Sequence, residues 1–321
     1  MGAYPISVII PVYNSAEALP ELTARVLETF RAKGLDGEIV FVNDASRDGS
    51  WNEIRKLAER EPAVRGINLM RNYGQHNALL CGIRSARHPV IVTMDDDLQH
   101  PPEEIPRLLA VLDQGYDAVY GTPQQERHGL LRNLASQMTK MALGGAMGAE
   151  TARKISAFRV FRTALRDAFA GYQGSFVSID VLLTWGTTNF AAIPVPHAPR
   201  RYGESNYTVR KLVRHALNMM TGFSVWPLQM ASLMGFVFTV FGLLVLAYVL
   251  GRYLLQGSSV PGFPFLASLI AIFSGAQMFS LGVIGEYLAR MHFRSMERPP
   301  YAVREEAAAA ARGVAAGSPR S

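Results

Sequence analysis

The sequence contains a single cysteine, Cys81, among its 321 residues. One cysteine cannot form a disulfide within its own chain, so a disulfide-stabilised scaffold is excluded. Because Cys81 lies in an apolar run, we expect it to be a core residue. The sequence also lacks an internal repeat, and its first residues, MGAYPISVII, lack the basic segment and small-residue cleavage site of a secretory signal. We therefore expect the N-terminal part to remain in the cytosol.

Charged residues are absent from two long stretches in the last third of the sequence, residues 227–251 and 253–285. Each is longer than the roughly 20 apolar residues that span a bilayer. The alternative, a core helix of a soluble domain, rarely runs so far without a charge. The pattern therefore predicts two transmembrane helices and an integral membrane protein.

Positive charge is concentrated on the outer sides of these two stretches. The loop between them has only Arg252, whereas basic residues cluster before the first stretch and after the second: Arg200, Arg201, Arg210, Lys211, Arg214, Arg290, Arg294, Arg298 and Arg304. By the positive-inside rule, both flanks and both termini are predicted to be cytoplasmic. The net charge of +6 could indicate nucleic-acid binding. Its concentration beside the spans favours anionic lipid or phosphate instead, and no nucleic-acid partner is predicted.

The first part of the sequence alternates between predicted strands and predicted helices. Strand-like runs are SVIIPVY, EIVFVND, VRGINLM and PVIVTMD, and each is followed by a segment with helical spacing. The second helix is predicted to begin with a capping box formed by Ser50 and Glu53. Such alternation predicts an α/β fold with a mostly parallel sheet covered on both faces.

Polar residues follow all four predicted strands. Ligands of such sheets bind at the carboxyl ends of the strands, so these side chains are predicted to share one crevice. They are Tyr13, Asn14, Asn43, Asp44, Arg71, Asn72, Asp95, Asp96 and Asp97.

The remaining segments are less regular. Residues 130–145 and 208–222 have apolar positions at helical spacing, and the second carries basic residues on its other face. We expect residues 208–222 to lie in the headgroup plane, with an ordinary packed helix as the alternative, which is stronger for residues 130–145. The low-complexity end, REEAAAAARGVAAGSPRS, is predicted to be disordered. The predicted division is a catalytic domain at 1–207, a juxtamembrane helix at 208–226, two spans at 227–290 and a tail at 291–321.

The segment MDDDLQHPPEE places an Asp-x-Asp pattern, Asp95 and Asp97, at the end of a predicted buried strand. Carboxylate oxygens are hard ligands suited to Mg²⁺ or Mn²⁺, and such ions commonly bridge carboxylates to the phosphates of a substrate. Most Asp-x-Asp patterns are solvated turns or helix caps. The convergence of three other strand ends on the same crevice favours the metal site.

Several segments together resemble the polyprenyl-phosphate glycosyltransferases, which are inverting GT-A enzymes of glycosyltransferase family two and include dolichyl-phosphate mannose synthase. The segments occur in the order expected of that family: SVIIPVYNSAEALPEL, VFVNDASRDGS, INLMRNYGQHNALLCGI, MDDDLQHPPEEIPRLL, ISAFRVFR, PHAPRRYGESNYTVRKL and LGVIGEYLAR. The resemblance covers residues 6 to about 301. The RNYGQH segment is similar to the modified-arabinose branch of the family, which implies a uridine-diphosphate donor.

The resemblance implies roles for individual residues. Asp97 and Gln99 would hold a divalent ion, Mg²⁺ or Mn²⁺, with Asp95 beside them on the sugar nucleotide. Pro11, Tyr13 and Asp44 would bind the base and ribose of the donor. Asn14, Arg71 and Asn72 are added to the predicted nucleotide-sugar site because they follow predicted strands. Arg200 or Arg201, with Ser205, would clamp the diphosphate, and Arg159 would bind the acceptor phosphate. Arg127, His128 and Arg132 would assist from a loop, with a purely solvated loop as the alternative.

The sequence departs from the family pattern at several positions. Ser15 replaces a usual glutamate, for which Glu17 could substitute, and Asn43 replaces an aspartate. Asp96 is an additional charge to which we assign no role. Ala157 stands where some relatives have an aspartate that is proposed as the general base. A phosphate monoester has its second pKa near ~6, so the acceptor oxygen is already anionic and no base is strictly required.

The predicted function is therefore inverting transfer of one sugar from a nucleotide donor to undecaprenyl phosphate, or a similar polyprenyl phosphate, at the cytoplasmic face of the bacterial inner membrane. The resemblance also implies a homo-oligomer, such as a tetramer. Two alternatives remain open. A processive polysaccharide synthase would need more spans and a Gln-x-x-Arg-Trp motif, and a non-catalytic lipid-binding protein would have little use for the Asp95, Asp97 and Gln99 group.

Overall fold

The computed structural model describes residues 4–123, 155–174, 177–198, 226–256, 262–296 and 298–309. The described residues divide into two compact units. The first lies within Met1–Thr208 and Arg298–Ser321, and the second within Val209–Glu297. Two predicted helices, at residues 130–145 and 208–222, lie outside the described residues.

The first unit is built around an eight-stranded sheet. Its strands are β1 (Ile6–Val12), β2 (Gly37–Asn43), β3 (Val64–Leu69), β4 (Val90–Thr93), β5 (Ala118–Pro123), β6 (Arg159–Arg162), β7 (Phe190–Val195) and β8 (Val303–Ala308). Its helices are α1 (Leu19–Lys33), α2 (Ser50–Arg60), α3 (Gln75–Ser85), α4 (Ile105–Leu112) and α5 (Ile179–Gly186). Short 3-10 helices occupy Pro102–Glu104 and Thr163–Phe169.

The sheet order is β7-β5-β6-β4-β1-β2-β3-β8. Strands β3, β2, β1 and β4 are parallel neighbours, which confirms the prediction of successive strand–helix units. Strand β6 is antiparallel to both β4 and β5, and β8 is antiparallel to β3 at the other edge. The α/β fold with a mostly parallel sheet is therefore confirmed, and the two antiparallel insertions are additions that the sequence pattern did not reveal.

The core lies on both faces of the central strands, because these strands are apolar without alternation. All seven residues of β1 are buried, as expected for a strand covered on both sides. Helices α1, α2 and α4 cover one face, with Leu22, Ile54 and Leu108 fully buried there. Helix α3 covers the other face so closely that a Cβ at Gly82 would lie 2.2 Å from Cγ2 of Ile9. Cys81 is 1% exposed, so the prediction of a core cysteine is confirmed.

Two local predictions were wrong. Ser50 does not cap α2: the N-cap residue is Gly49, without a side-chain cap, and the Ser50 hydroxyl and N–H both donate to Oδ1 of Asp48. The carboxylate of Asp48 competes successfully for these donors. The predicted disorder of the C-terminal end was also wrong for residues 304–308, because they form β8 on the exposed edge of β3. Pairing with that edge overrides the weak strand preference of an alanine-rich segment.

The second unit contains two long helices, α6 (Trp226–Gln256) and α7 (Phe263–Ser295). Of the described helices, the segment Leu228–Leu255 is the one long and apolar enough to cross a membrane, with a mean hydropathy of 2.5. It corresponds to the first predicted span. The second predicted span falls mostly in α7 and stays a prediction. Tyr253 belongs to α6, so the first helix extends further than the sequence indicated.

Candidate active site

A pocket of about 220 Å³ opens at the carboxyl ends of the parallel strands. It is formed by residues that follow β1, β2, β3 and β4, so the predicted crevice is present. Its lining is Pro11, Val12, Tyr13, Asp44, Asn72, Gly74, Gln75, Asp95, Asp96 and Asp97. Six of the residues predicted for the nucleotide-sugar site or the metal are therefore brought together: Pro11, Tyr13, Asp44, Asn72, Asp95 and Asp97.

The backbone is left-handed at three positions around this pocket. Asn14, Ala45 and Leu98 have φ values of 55°, 52° and 60°, and they follow β1, β2 and β4. Residues other than glycine adopt this conformation at a cost, and such positions concentrate at functional sites. Leu98 anchors its strained turn by placing its side chain in the core, where it is 1% exposed. The turn holds Asp97 at the pocket wall.

Asp44 is buried at the back of the pocket, where both of its carboxylate oxygens accept backbone hydrogen bonds. Oδ1 accepts from the N–H of Tyr73 at 2.7 Å and Oδ2 from that of Gly74 at 2.8 Å. Burial raises the pKa of Asp44, and these two donors oppose the rise without cancelling it. Asp44 therefore fixes the loop that follows β3 as well as lining the pocket.

The three consecutive aspartates are each held by a donor from a different place. Oδ1 of Asp95 accepts from the side-chain amide of Gln75 at 2.6 Å, and Oδ2 of Asp96 accepts from the N–H of Tyr13 at 3.2 Å. Asp97 is 7% exposed and accepts from the N–H of Gln99 at 3.1 Å. Separate donors reduce the cost of placing three like charges together.

Asp96, to which the sequence analysis gave no role, is part of the pocket wall. Burial raises its pKa to about 6, and the neighbouring charge of Asp97 acts in the same direction. Hydrogen bonds from the Ser15 hydroxyl and the Tyr13 N–H oppose this rise. Asp96 is therefore held in the pocket wall by its neighbours, although the sequence analysis assigned it no role.

The predicted metal ligands fit a divalent ion in their chemistry. Asp95 and Asp97 supply carboxylate oxygens to one pocket, and Mg²⁺ and Mn²⁺ complete such sites with substrate phosphates and water. Within the part of the chain that the structure describes, no three His, Cys, Asp or Glu side chains form a metal cluster of their own. Gln99 is not a lining residue, and its side-chain amide donates to the carbonyl of Ala198 at 3.4 Å.

Arg159 is placed inside the domain and does not line the pocket. It begins β6, is 2% exposed, and forms an ion pair with Asp180, a residue of α5. The hydroxyl of the fully buried Tyr120 donates to the same carboxylate oxygen at 3.0 Å. Burial, and after it the charge of Asp180, raise the pKa of Tyr120 well above its ordinary value, so the hydroxyl remains a donor. As placed, the guanidinium pairs with Asp180 through one nitrogen, and its buried Nε has no hydrogen-bond partner among the described residues.

The other predicted site residues are spread around the pocket rim or lie elsewhere. Oδ1 of Asn14 accepts from the N–H of Arg47 at 2.8 Å and so joins the turns after β1 and β2. The guanidinium of Arg71 lies 4.7 Å from the ring centre of Tyr73, and Glu17 is exposed. None of these three lines the pocket. Six predicted residues lie outside the described residues: Arg127, His128, Arg132, Arg200, Arg201 and Ser205.

Sequence reasoning missed Gln75 and the histidine pair beside the aspartates. Gln75 begins α3 directly after the left-handed Gly74, and the RNYGQH segment was a visible signal for it. His100 is 5% exposed and its ring lies 5.5 Å from that of Phe158 and 5.3 Å from that of His197. Burial, reinforced by His197, lowers the pKa of His100 to about 4, so its ring is neutral. No local pattern reveals a contact between residues so far apart in sequence.

Comparison with solved structures finds distant similarities. The glucosyl-3-phosphoglycerate synthase of Mycobacterium tuberculosis, solved with Mn²⁺, UDP and phosphoglyceric acid, is 15% identical, with 68% of this chain and 76% of that chain covered and a TM-score of 0.47. The mannosyltransferase PcManGT of Pyrobaculum calidifontis, in complex with GDP-Man and Mn²⁺, is 19% identical, with 89% and 88% covered and a TM-score of 0.44.

Sequence comparison finds much nearer relatives. The undecaprenyl-phosphate 4-deoxy-4-formamido-L-arabinose transferase of Shewanella sediminis is 35% identical over 94% of this chain and 92% of its own length. The enzyme of the same name from Enterobacter sp. strain 638 is 36% identical over 93% and 92%. The family model for glycosyl transferase family 2 matches residues 7–170. The resemblance indicated by the sequence motifs is thereby confirmed, and the chain belongs to glycosyl transferase family 2.

Proposed function

We propose that this enzyme transfers a single sugar from a nucleotide donor to a polyprenyl phosphate and releases the nucleoside diphosphate. The observation that carries the proposal is the presence, in one chain, of a carboxylate-lined pocket at the strand ends and an apolar helix long enough to cross a membrane. A soluble acceptor would not require such a helix. A polyprenyl phosphate, by contrast, is available only at a membrane surface. The names of the relatives, undecaprenyl-phosphate sugar transferases, agree with this acceptor.

The donor is proposed to bind with its nucleoside against Pro11, Tyr13 and Asp44 and its diphosphate toward Asp95 and Asp97. A divalent cation held by Asp95, Asp97 and Gln99 would neutralise the charge that develops on the departing diphosphate. Arg201, or Arg200, together with Ser205, is proposed to bind the same diphosphate; these residues follow β7 in the sequence. Guanidinium groups match phosphate geometry, which suits them to this task.

The acceptor needs little activation in this scheme. Its phosphate oxygen is anionic at cytoplasmic pH, because the second pKa of a phosphate monoester is near ~6. That oxygen attacks the anomeric carbon as the bond to the diphosphate breaks, so configuration at that carbon inverts. No covalent enzyme intermediate forms, and the absence of an acid at Ala157 is compatible with the reaction.

The finer assignments follow from the relatives. We propose a UDP-linked donor of the 4-deoxy-4-formamido-L-arabinose type, undecaprenyl phosphate as the acceptor, and Mg²⁺ or Mn²⁺ as the ion. We also propose that the enzyme lies in the bacterial inner membrane with its catalytic unit and both termini cytoplasmic, and that it is a homo-oligomer, such as a tetramer.

The test is transfer from a panel of UDP- and GDP-sugars, including the formamido-arabinose donor, to undecaprenyl phosphate in detergent with Mg²⁺ or Mn²⁺. Wild type should form a single-sugar lipid, and Asp97→Asn should reduce the rate by roughly 100-fold or more, because a charge that stabilises the leaving group is lost. Asp113→Asn is the matched control. Asp113 follows α4 and accepts a hydrogen bond from the hydroxyl of Tyr4, which precedes β1, so it lies at the amino ends of the strands, away from the pocket at their carboxyl ends.

Each outcome of this assay is decisive. If wild type and Asp113→Asn form a metal-dependent single-sugar lipid and Asp97→Asn does not, the reaction is established and the donor is identified. A ladder of products with increasing sugar number would instead indicate a processive synthase. No product from any donor, or equal rates in both variants, would refute the proposal.

A further inference from the structure

The C-terminal strand β8 is connected to the segments that form the donor pocket through side chains as well as through backbone pairing. It follows the helices of the second unit in sequence, yet it forms the edge strand beside β3 in the catalytic sheet. The residue opposite Glu305 in this pairing is Asn68, next to the end of β3. The loop after β3 supplies Asn72, Gly74 and Gln75 to the pocket.

One connection is a ladder of hydrogen bonds that crosses three strands. Oε1 of Glu305 accepts from the side-chain amide of Asn68 at 3.0 Å, and Oδ1 of Asn68 accepts from the amide of Asn43 at 2.8 Å. Asn68 and Asn43 are 6% and 1% exposed, so the inner part of this ladder is removed from water, whereas Glu305 is exposed at the edge of the sheet. Asn43 directly precedes Asp44, whose carboxylate lines the pocket and holds the loop after β3.

This ladder also explains a departure from the family pattern. Asn43 stands where the family pattern described in the sequence analysis has an aspartate. An aspartate at this position could not donate to Oδ1 of Asn68, because an ionised carboxylate only accepts hydrogen bonds. The amide of Asn43 can donate to Asn68 of β3, whose own amide donates to Glu305 of β8, so an asparagine at position 43 is suited to connecting the three strands.

A second connection fixes the residue from which the pocket loop begins. The N–H of Met70 donates to the carbonyl of Ala302 at 2.9 Å, and the guanidinium of Arg304 donates to the carbonyl of Met70 at 3.1 Å. Met70 therefore has both of its backbone polar groups held by the C-terminal segment. The next residue begins the stretch that includes Asn72 and Gly74.

We infer that β8 is a positioning element of the donor pocket, in which Glu305 and Arg304 hold Asp44 and residues 71–74 in the arrangement that binds the nucleoside diphosphate. The inference depends on the proposed function only in taking a nucleoside diphosphate as the ligand. Neither residue lines the pocket, so neither is a catalytic residue. Their substitution should weaken donor binding and leave the chemical step intact.

The experiment titrates the full-length protein in detergent with UDP and with GDP in the presence of Mn²⁺, by calorimetry. Glu305→Ala should weaken binding of the nucleotide about fivefold, which corresponds to the loss of one hydrogen bond in the ladder. Glu305→Gln retains an oxygen acceptor and should bind within about twofold of wild type. Arg304→Ala should show a loss similar to that of Glu305→Ala.

Glu306→Ala is the matched control. It is the next residue of β8, is exposed, and lies opposite Ile67 in the pairing with β3. It should bind nucleotide within about twofold of wild type. A chain that ends after Ala309 should also bind normally, whereas a chain that ends before β8 should lose affinity. In transfer assays, Glu305→Ala should raise the KM for the donor at an unchanged kcat.

The outcomes separate this inference from the proposed function. Selective weakening in Glu305→Ala and Arg304→Ala, with recovery in Glu305→Gln and an unchanged melting temperature of the free protein, supports a positioning role. Wild-type affinity in both alanine variants, or equal weakening in Glu305→Gln, would overturn the inference while leaving the proposed function intact. If wild type itself bound neither UDP nor GDP, the proposed function would fail and the inference with it.

Discussion

The buried pair of Arg159 and Asp180 allows a quantitative test of what Arg159 does. The side chains of Arg159 and Asp180 are 3% and 12% exposed, and Tyr120 donates to the same carboxylate. Asp180→Ala would leave a guanidinium that cannot deprotonate without its counterion. Removing one partner of such a pair costs about 3–5 kcal/mol. For a domain of this size that corresponds to a fall in melting temperature of roughly 6–20 °C.

A double variant separates the stability of the pair from its chemistry. Arg159→Met combined with Asp180→Leu removes both charges and approximately conserves volume, so stability should recover to within about 1–3 kcal/mol of wild type, the remaining loss coming from the buried Tyr120 hydroxyl that no longer has its acceptor. Melting of the detergent-solubilised protein, followed by near-UV circular dichroism, measures both variants. An unchanged melting temperature in Asp180→Ala would refute the argument that the buried arginine depends on this carboxylate.

Transfer kinetics of the double variant then test the acceptor role that the family resemblance implied. Because the guanidinium pairs with Asp180 and does not line the pocket, we expect the KM values for donor and acceptor to stay within a factor of about three. A rise of about tenfold or more in the acceptor KM alone, about 1.4 kcal/mol, would show instead that Arg159 binds the acceptor phosphate.

Three further substitutions test the sheet, its packing and the pocket. Burial alone would raise the pKa of Glu38, but hydrogen bonds, led by the one from Arg65, hold this pKa below its ordinary value of 4.5, so the pair stabilises the fold above pH 4.5. The difference in melting temperature between wild type and Glu38→Gln should therefore be largest above pH 4.5 and should narrow as the pH falls below it. Gly82→Ala places a Cβ 2.2 Å from a methyl group of Ile9 and should lower the free energy of unfolding, measured by chemical denaturation, by about 1–3 kcal/mol. A denaturation midpoint equal to that of wild type would mean that α3 can move away from the sheet. Gln75→Leu keeps the size of the side chain but removes the amide that donates to Asp95, so it should raise the KM for the donor about fivefold. An unchanged KM would count against any role for this amide in donor binding.

The parallel half of the fold could be predicted because its signals are local. The apolar run of β1 is followed directly by Tyr13, which lines the pocket, so a strand with a polar residue after its carboxyl end specifies both an element and a position in the pocket. The ends of parallel strands meet at one edge of a sheet, so the crevice followed without any knowledge of tertiary contacts. The same reasoning identified Asp44 and Asp95 correctly as pocket residues.

The elements that could not be predicted are those fixed by distant partners. Strand β8 has an alanine-rich sequence with little strand preference, and it pairs because β3 offers an unpaired edge. The segment around Arg159 likewise gives no sign that α5 places Asp180 beside this arginine. Ser50 reads as a helix cap until Asp48 accepts its hydrogen bonds. For β8 and Arg159 the partner lies far away in the sequence, whereas Asp48 is only two residues from Ser50 and is a local competitor for its hydrogen bonds.

The three aspartates show how the fold and the site depend on each other. Like charges at adjacent positions repel, and burial adds to that cost, as the raised pKa of Asp96 shows. Donors from Gln75, Tyr13 and Gln99 reduce the cost, but each donor comes from a different strand end or turn. The carboxylates can therefore be held together only when β1, β4 and α3 are all in place. A pocket that stays electronegative after folding is suited to the divalent cation that we propose as its ligand, because the cation supplies the opposite charge that the protein itself provides only in part, and it can bridge the carboxylates to the diphosphate of the donor.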